Sequence, residues 1–185
     1  MQTTTFKYPS PVGNLVLLAE RGCLAGLWFE GFPVPKLSAN ADVEDMVIED
    51  DGQRRDAPSN GLSDAEAIMG TVNWLNLFFL GISPDSLPPL LLRGTAFQVR
   101  VWRELLKINF GTTITYGALA RRLSSGDAHP TSPRAVGGAV GRNPIAIIVP
   151  CHRVVGANNR IGGYAYGTNI KRQLIKTEGL RGPLL

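Results

Sequence analysis

A cysteine and a histidine stand side by side at the end of a short apolar run, where they could carry nucleophilic chemistry. Residues 145–149 are all apolar, Pro150 stops the run, and Cys151 and His152 follow. The run predicts a buried segment, so we expect Cys151 at the exit of a rigid element with one face open. The thiolate is the reactive form, and nearby cations favour it. We therefore expect His152 and Arg153 to lower the pKa of a nucleophilic Cys151.

A carboxylate near the end of the chain occupies a position where an apolar residue would be expected. Thr168 is expected to cap a last helix, which Gly179 closes. Ile170, Leu174 and Glu178 fall on one stripe of this helix. An acidic group at a helix C-terminus opposes the helix dipole, and on an apolar stripe it also costs desolvation. Glu178 is therefore expected to have a buried partner, unless the helix end frays and the carboxylate is solvated.

Charge is distributed unevenly along the chain. Residues 1–93 hold 6 Lys and Arg against 12 Asp and Glu, whereas residues 94–185 hold 13 against 3. Ten of those 13 cations are arginine, which suits contacts with phosphates and bases. The basic half therefore predicts a nucleic-acid surface. A solvated basic face without a partner is the alternative that charge alone leaves open.

The first half of the chain predicts a small α/β unit. Residues 6–32 contain turn signals between apolar runs and predict a β-hairpin. Residues 33–62 are polar and acidic, and they predict a mobile loop. Ser63 or Asp64 is expected to cap a helix that runs to about Leu80.

Proline and glycine suggest where this unit ends. Three prolines between residues 83 and 93 predict an extended linker. We therefore predict an N-terminal α/β scaffold domain over residues 1–82, a linker over 83–93 and a C-terminal domain over 94–185.

The C-terminal half predicts a series of short helices. Each has a capping signal before it: Thr95 with Gln98, Thr115, and Ser132 with Pro133. The last two of these helices suggest a helix-turn-helix whose second member reads DNA. Gly137 and Gly138 weaken that second helix but would let its backbone lie close to a narrow minor groove. Tight packing on a neighbouring helix would explain the two glycines as well.

Five segments of this half together resemble the landmarks of a known family. They are Gly94-Thr95-Ala96-Phe97-Gln98, Thr115-Tyr116-Gly117, Arg134-Ala135-Val136-Gly137-Gly138-Ala139, Asn143-Pro144 and Pro150-Cys151-His152-Arg153. In order and spacing they resemble the O6-alkylguanine-DNA alkyltransferases, also called methylated-DNA–protein-cysteine methyltransferases. The N-terminal half resembles this family only weakly, through a Pro-Val-Gly turn and Gly26-Leu27-Trp28-Phe29.

The resemblance implies both a fold and an activity. The fold would be a small α/β N-terminal domain followed by a mostly helical C-terminal domain with a helix-turn-helix, or winged-helix-like, DNA-binding motif. The activity would be DNA repair by direct reversal: the protein binds double-stranded DNA through the minor groove and flips out an O6-alkylguanine, mainly O6-methylguanine. The alkyl group would pass irreversibly to Cys151 in a single turnover.

The resemblance also implies roles for individual residues. Cys151 would accept the alkyl group, and His152, oriented by Glu178, would deprotonate it through a water molecule. Asn143 would tie the preceding turn to the active-site segment. Tyr116 would contact the flipped nucleotide and offer its hydroxyl to the departing base.

Two further groups of residues follow from the same resemblance. DNA-binding positions would be Arg134, which would enter the base stack, with Tyr116, Ala135, Gly137 and Gly138. The substrate pocket would be lined by Tyr164, Ala165, Tyr166 and Val154. Many relatives have a smaller residue in place of Tyr166, so we expect its ring to disfavour bulky adducts such as benzyl.

The remaining expectations are mostly negative. The chain has two cysteines and two histidines, too few for an ordinary four-ligand zinc site, so no metal or cofactor is predicted. No apolar stretch approaches the roughly 20 residues of a membrane span, and the start of the chain lacks the pattern of a signal peptide. We therefore expect a cytoplasmic protein that is a monomer, with cooperative binding to DNA an open question.

Three other functions compete with alkyl transfer. A non-catalytic binder of alkylated DNA would be expected to lack Cys151. A winged-helix transcription regulator would explain the basic half but not Cys151 and His152 with Glu178. A cysteine–histidine hydrolase would turn over many times on an ester or a peptide.

Overall fold

The first part of the chain forms three strands that pair in antiparallel fashion. In the computed structural model, which describes residues 3–34, 43–48, 54–55, 61–124 and 130–180, they are β1 (Thr4–Ser10), β2 (Gly13–Glu20) and β3 (Cys23–Phe29). The predicted hairpin is confirmed as β2 and β3. Its tight turn places Arg21 and Gly22 at φ values of 57° and 71°, the left-handed conformation that a two-residue hairpin turn requires.

Three more strands complete the sheet and correct two predictions. They are β4 (Val43–Ile48), β5 (Arg54–Arg55) and β6 (Leu90–Thr95), and the strand order is β1-β2-β3-β6-β4-β5. The predicted loop over 33–62 was wrong for residues 43–48 and 54–55, and the predicted linker over 83–93 was wrong for residues 90–93. Most other residues of the predicted loop lie outside the described part of the chain.

The loop prediction failed because acidic composition concealed a strand. The linker prediction failed because the prolines end at Pro89, and the three leucines that follow are buried in the sheet. Met46, Val47 and Ile48 are buried, so this stretch supplies apolar surface to the sheet. The carboxylate of Asp45 is not left in solvent, because Arg93 on the neighbouring strand donates to it at 2.7 Å. Arg93 also donates to Glu20 on β2 at 3.0 Å. Charged side chains that pair across a sheet are compatible with strand structure.

One helix, α1 (Asp64–Phe79), covers the first three strands. Ser63 is its N-cap, and Ser63 and Glu66 form a reciprocal capping box. Leu80 ends the helix, and Gly81 follows with a φ of 75°. Buried residues of α1 such as Leu75 pack on the sheet, so the predicted helix is confirmed.

The C-terminal half is mostly helical. Its helices are α2 (Ala96–Leu106), α3 (Tyr116–Leu123), α4 (Pro133–Val140) and α5 (Thr168–Thr177), and short 3₁₀ turns lie at Cys151–Arg153 and Ala157–Asn159. The predicted caps of α2, α3 and α4 are confirmed: Thr95 with Gln98, Thr115, and Ser132. Helix α5 is the exception, because its cap is Gly167. Gly167 has a φ of 88°, which glycine adopts readily and threonine does not, so Thr168 becomes the first helical residue.

Helices α3 and α4 pack against each other, as in the predicted helix-turn-helix. The β structure beside them is a two-residue parallel pair, β7 (Ile114–Thr115) with β8 (Val154–Val155). The winged-helix part of the prediction stays a prediction.

The apolar run before Cys151 joins the two halves of the molecule. The backbone N–H of Leu27 on β3 donates to the carbonyl of Pro144, and that of Ala146 donates to the carbonyl of Leu27. Residues 145–149 are buried in a hydrophobic cluster that contains residues of both halves. The division at residues 83–93 stays a prediction, but the core is continuous across it. Among the described residues, no helix is long and apolar enough to cross a membrane.

Candidate active site

Cys151 lines a cavity of about 190 Å³ between α3, α4 and the loop that precedes α5. The cavity brings together seven residues that the sequence analysis singled out: Tyr116, Gly137, Asn143, Cys151, Tyr164, Ala165 and Tyr166. Val154 is not among its lining residues. The Val154 side chain is fully buried in β8, and its carbonyl accepts a hydrogen bond from Lys171 at 2.7 Å.

Two tight turns place Cys151 at the cavity. Ile147 has a φ of 68°, a strained conformation for a β-branched residue, and the N–H of Ile148 donates to the carbonyl of Ala146 across it. At Pro150, with φ −82° and ψ 63°, the N–H of Cys151 donates to the carbonyl of Val149 at 2.8 Å. This is an inverse γ-turn. The turns end the buried run and begin the 3₁₀ turn that carries the cysteine.

Asn143 ties this segment together with its side-chain amide. Its Nδ2 donates to the carbonyl of Val149 at 2.8 Å and to Sγ of Cys151 at 3.1 Å. Its Oδ1 accepts from the N–H of Ile145 at 3.0 Å. The predicted contact between Asn143 and the active-site segment is therefore present, and it extends to the sulfur itself.

His152 and Arg153 point away from Cys151 and toward Glu178. Nε2 of His152 lies 2.6 Å from Oε1 of Glu178, and Nε of Arg153 donates to both carboxylate oxygens at 3.0 Å. The N–H of Gly111 donates to Oε2 at 2.9 Å. Burial favours the neutral acid of Glu178, but its bonds to His152, Arg153 and Gly111 outweigh burial and lower the pKa. The buried partner predicted for Glu178 is thus present, and Arg153 is an additional one.

Nδ1 of His152 makes no hydrogen bond with another described residue. Because Glu178 is a carboxylate, Nε2 carries the proton of the neutral ring and Nδ1 is left as an acceptor. Nδ1 is buried and has no hydrogen-bond partner among the described residues. Burial lowers the pKa of His152, although Glu178 opposes the shift. The ring is therefore a neutral base with a free lone pair at neutral pH.

The thiol of Cys151 is not activated in the way the sequence suggested. Burial raises its pKa, and the hydrogen bond from Asn143, the nearby hydroxyl of Tyr164 and the charge of Lys171 offset this only in part. His152 and Arg153 do not lower it, because both are turned to Glu178. The resting form is therefore a thiol, which needs a base to become the nucleophile.

Lys171 is the site residue that sequence reasoning missed. It is completely buried, and its Nζ donates to the carbonyls of Val154 and Gly163 at 2.7 and 3.0 Å. Burial lowers its pKa to about 8, although Cys151 opposes the shift. A signal was available, because Lys171 precedes Leu174 and Glu178 by three and seven residues and so shares their buried face.

Three tyrosines surround the sulfur. Burial, followed by the proximity of Cys151, raises the pKa of Tyr116, Tyr164 and Tyr166, so each is a neutral phenol that can donate a proton or a hydrogen bond. The hydroxyl of Tyr164 is buried and lacks a well-formed hydrogen bond among the described residues. This wall of the cavity therefore holds polar groups that a ligand could satisfy.

Helix α4 exposes the residues predicted to contact DNA. Arg134 and Ala135 are exposed at its start. A Cβ at Gly137 would meet the ring of Tyr116 at an ordinary 3.8 Å, whereas one at Gly138 would meet Nη1 of Arg142 at 3.2 Å, which is closer than ordinary contact. Protein packing therefore does not require glycine at position 137, which favours the explanation that an external backbone approaches there. No group of residues that could hold a metal ion is found in the described part of the chain.

The site consists of a buried cysteine, an adjacent neutral histidine that a carboxylate holds, and an exposed short helix beside them. This combination is that of a protein that reacts through a cysteine and has a surface suited to DNA. Residues 96–180 match the family model described as 6-O-methylguanine DNA methyltransferase, DNA binding domain. The methylated-DNA–protein-cysteine methyltransferase of Methanosarcina acetivorans is 37% identical over 172 residues, 93% of this chain and 96% of the relative. The chain belongs to the methylated-DNA–protein-cysteine methyltransferase family, as its motifs predicted.

Solved structures agree over almost the whole chain. The crystal structure of Mycobacterium tuberculosis O6-methylguanine methyltransferase superposes with a TM-score of 0.72 at 36% identity and covers 98% of this chain and 96% of its own. A crystal structure of Mycobacterium tuberculosis OGT in complex with DNA gives a TM-score of 0.70 at 34% identity, covering 97% and 94%. The small N-terminal sheet followed by helices is thus the fold of the family.

Proposed function

We propose that this protein repairs DNA by transferring an alkyl group from O6 of guanine to Cys151. The observation that carries the proposal is the thiol at the cavity, held by Asn143 and flanked by the His152–Glu178 pair. Membership of the methyltransferase family supports the reaction, and the structure of a relative with DNA supports the substrate.

The reaction begins with the proton of the thiol. Nδ1 of His152 takes it through a bridging water, while Glu178 holds the ring by Nε2. The sulfur then attacks the alkyl carbon in line, a C–S bond forms and the bond from carbon to O6 breaks. The electron pair of that bond stays with guanine, which takes a proton from the hydroxyl of Tyr116. Proton return from His152 to Tyr116 balances the reaction.

Access to the base requires that the nucleotide leave the duplex. Helix α4 enters the minor groove, where Gly137 and Gly138 allow close approach and Arg134 fills the space left in the stack. The flipped base enters the cavity between Tyr116 and the loop at Tyr164. The binding partner is duplex DNA bearing O6-alkylguanine, and the protein binds it as a monomer.

The product explains why one molecule acts once. A thioether between Cys151 and the alkyl group is stable, and the base His152 has no proton to remove from it. Each chain is consumed by one alkyl group.

Intact mass after incubation with a duplex that carries one O6-methylguanine tests the proposal, with Cys151→Ser alongside. We expect a gain of one methylene group, limited to one per chain and absent from the variant. Tight binding to the lesion without a gain in mass would instead leave a recognition protein, and the catalytic roles of His152 and Glu178 would be wrong.

A further inference from the structure

The loop between helix α2 and strand β7, residues 107–113, contacts the active-site network although none of its residues lines the Cys151 cavity. The loop turns at Asn109, whose carbonyl accepts the N–H of Thr112 at 3.2 Å and its hydroxyl at 2.7 Å. Gly111, the third residue of this turn, has a φ of 70°, a conformation that favours glycine there. The backbone of the loop is therefore fixed by its own hydrogen bonds.

Two polar groups of the α2–β7 loop bond to the carboxylate of Glu178 and to its arginine partner. The N–H of Gly111 donates to Oε2 of Glu178 at 2.9 Å, while Nε2 of His152 lies 2.6 Å from Oε1. The carbonyl of Ile108 accepts a hydrogen bond from Nη1 of Arg153. Because Gly111 occupies one carboxylate oxygen, the other oxygen is directed at His152.

Phe110 of the same loop supports Arg153 and His152 through ring contacts. Its ring centroid lies 5.7 Å from the guanidinium carbon of Arg153, within range of a cation–π interaction, and 5.9 Å from the centroid of Phe78. Phe78 is completely buried and meets the ring of His152 at a centroid distance of 6.0 Å and an angle of 81°. The loop therefore reaches His152 both through the carboxylate and through packed rings.

Position 111 leaves no room for a side chain. A Cβ there would lie 3.2 Å from the backbone oxygen of Glu178, which is closer than ordinary contact, and the left-handed φ would be strained in any residue with a Cβ. Relief of that contact would move the loop away from the end of α5. The N–H of residue 111 would then no longer hold Oε2 in place.

We infer that Gly111 is a positioning residue for methyl transfer: its N–H holds the Glu178 carboxylate in the orientation that keeps a proton on Nε2 of His152 and leaves Nδ1 free to take the proton of Cys151. This inference rests on the alkyl transfer proposed above. Gly111 touches no reacting atom and acts through Glu178. When the bond from Gly111 is lost, the carboxylate can turn from Nε2, and the histidine loses the partner that fixes its tautomer.

Single-turnover methyl transfer from a duplex that bears O6-methylguanine tests this role, with Gly111→Ala compared with Gly81→Ala. Gly81 is a matched control: its φ is 75°, and a Cβ there would lie 3.2 Å from the backbone oxygen of Thr177, but its N–H donates to the carbonyl of Phe78. We expect Gly111→Ala to be about tenfold slower at neutral pH, part of what a general base supplies. Gly81→Ala should keep the wild-type rate.

The pH profile separates positioning of the base from damage to the fold. The methyl accepted at completion counts the competent chains, so the rate constants do not depend on how much of each variant folds. Hydroxide forms the thiolate without a base at high pH, so the deficit of Gly111→Ala should disappear as the pH rises toward about 10. A distorted cavity would instead slow the reaction at every pH.

A double variant tests whether Gly111 acts through Glu178. Glu178→Gln leaves no carboxylate to position, so the addition of Gly111→Ala should slow transfer by less than about twofold further. Equal slowing in both backgrounds, an equal loss in Gly81→Ala or a deficit that persists at high pH would overturn the inference while the wild type remains active. A wild type that transfers no methyl group would overturn the proposed function itself.

Discussion

At the residue scale, burial and hydrogen bonds set the protonation state of each ionisable group in the site. Burial makes Cys151 a thiol and His152 a neutral base. Glu178 remains a carboxylate because Arg153 and Gly111 also bond to it. In the described part of the chain, the charge that favours the thiolate is that of Lys171. We therefore expect His152, as the proposed base, and Lys171 to control formation of the nucleophile.

Replacement of Lys171 by methionine should raise the pKa of Cys151 and slow methyl transfer at neutral pH on the order of tenfold, because a cation that stabilises developing negative charge is lost. Thiolate absorbance against pH and single-turnover rates would measure both effects. The difference from the wild type should narrow above pH 8, because the wild-type lysine loses its charge at a pKa of about 8. Lys176→Met, at an exposed position of the same helix, is the control; an equal effect there would contradict the prediction.

The pH dependence of methyl transfer should reflect the lowered pKa of His152. The base acts when neutral, and burial keeps it neutral below the ordinary histidine pKa of about 6.5. We therefore expect the rate to hold as the pH falls through 6.5 and to decline only at lower pH. Single-turnover rates, with circular dichroism to verify folding, would measure this. A decline that begins above pH 7 would show that a different group is the base.

At the element scale, short helices and tight turns determine the direction in which each side chain of the site points. The 3₁₀ turn at Cys151–Arg153 sends the thiol into the cavity and the next two side chains to Glu178. Helix α4 covers the other side of the cavity with Gly137 and Val140 and exposes Arg134 outward. We therefore expect a substitution at Arg134 to affect the proposed contact with DNA without altering the geometry around Cys151.

Replacement of Arg134 by alanine should slow methyl transfer from duplex DNA about tenfold or more, because unpairing a base costs a few kcal/mol that the inserted side chain offsets. Transfer from the free base O6-methylguanine should not change, since that substrate needs no extrusion. Rates with both substrates would test base flipping. Equal losses on both would indicate that Arg134 supports the fold and not the DNA.

At the scale of the whole molecule, the N-terminal sheet is the support for the active-site segment. Leu27 on β3 exchanges backbone hydrogen bonds with the chain around Ile145, and both residues are completely buried. The core is continuous between the halves. We infer that the halves unfold together.

Leu27→Ala should lower the free energy of unfolding by about 2–5 kcal/mol, the usual cost of a cavity in a packed core, with one cooperative transition. Denaturant unfolding followed by fluorescence and circular dichroism would measure it. Leu80→Ala removes a side chain that is 73% exposed and should change stability by less than about 0.5 kcal/mol. Two separate transitions would contradict a single core.

Local signals in the sequence were enough for much of the fold. The caps at Ser63, Thr95, Thr115 and Ser132 were readable because a capping residue and its partner lie within one turn of helix. The motif around Cys151 identified the family, and the stripe that ends at Glu178 identified a buried carboxylate. Each of these depends on residues that are close in the chain.

What only the tertiary structure decided depends on residues far apart in the chain. The strand at 43–48 forms by pairing with β6, where Asp45 meets Arg93, 48 residues away, and no local pattern contains that pairing. The sequence suggested that His152 and Arg153 would activate Cys151, because they are its neighbours. The 3₁₀ turn instead points both side chains toward Glu178, and the cation near the thiol is Lys171. Composition and spacing were enough to identify Cys151 as the nucleophile. The pKa values in the site depend on burial and on partners that are distant in the chain, so only the packed structure shows which groups carry protons.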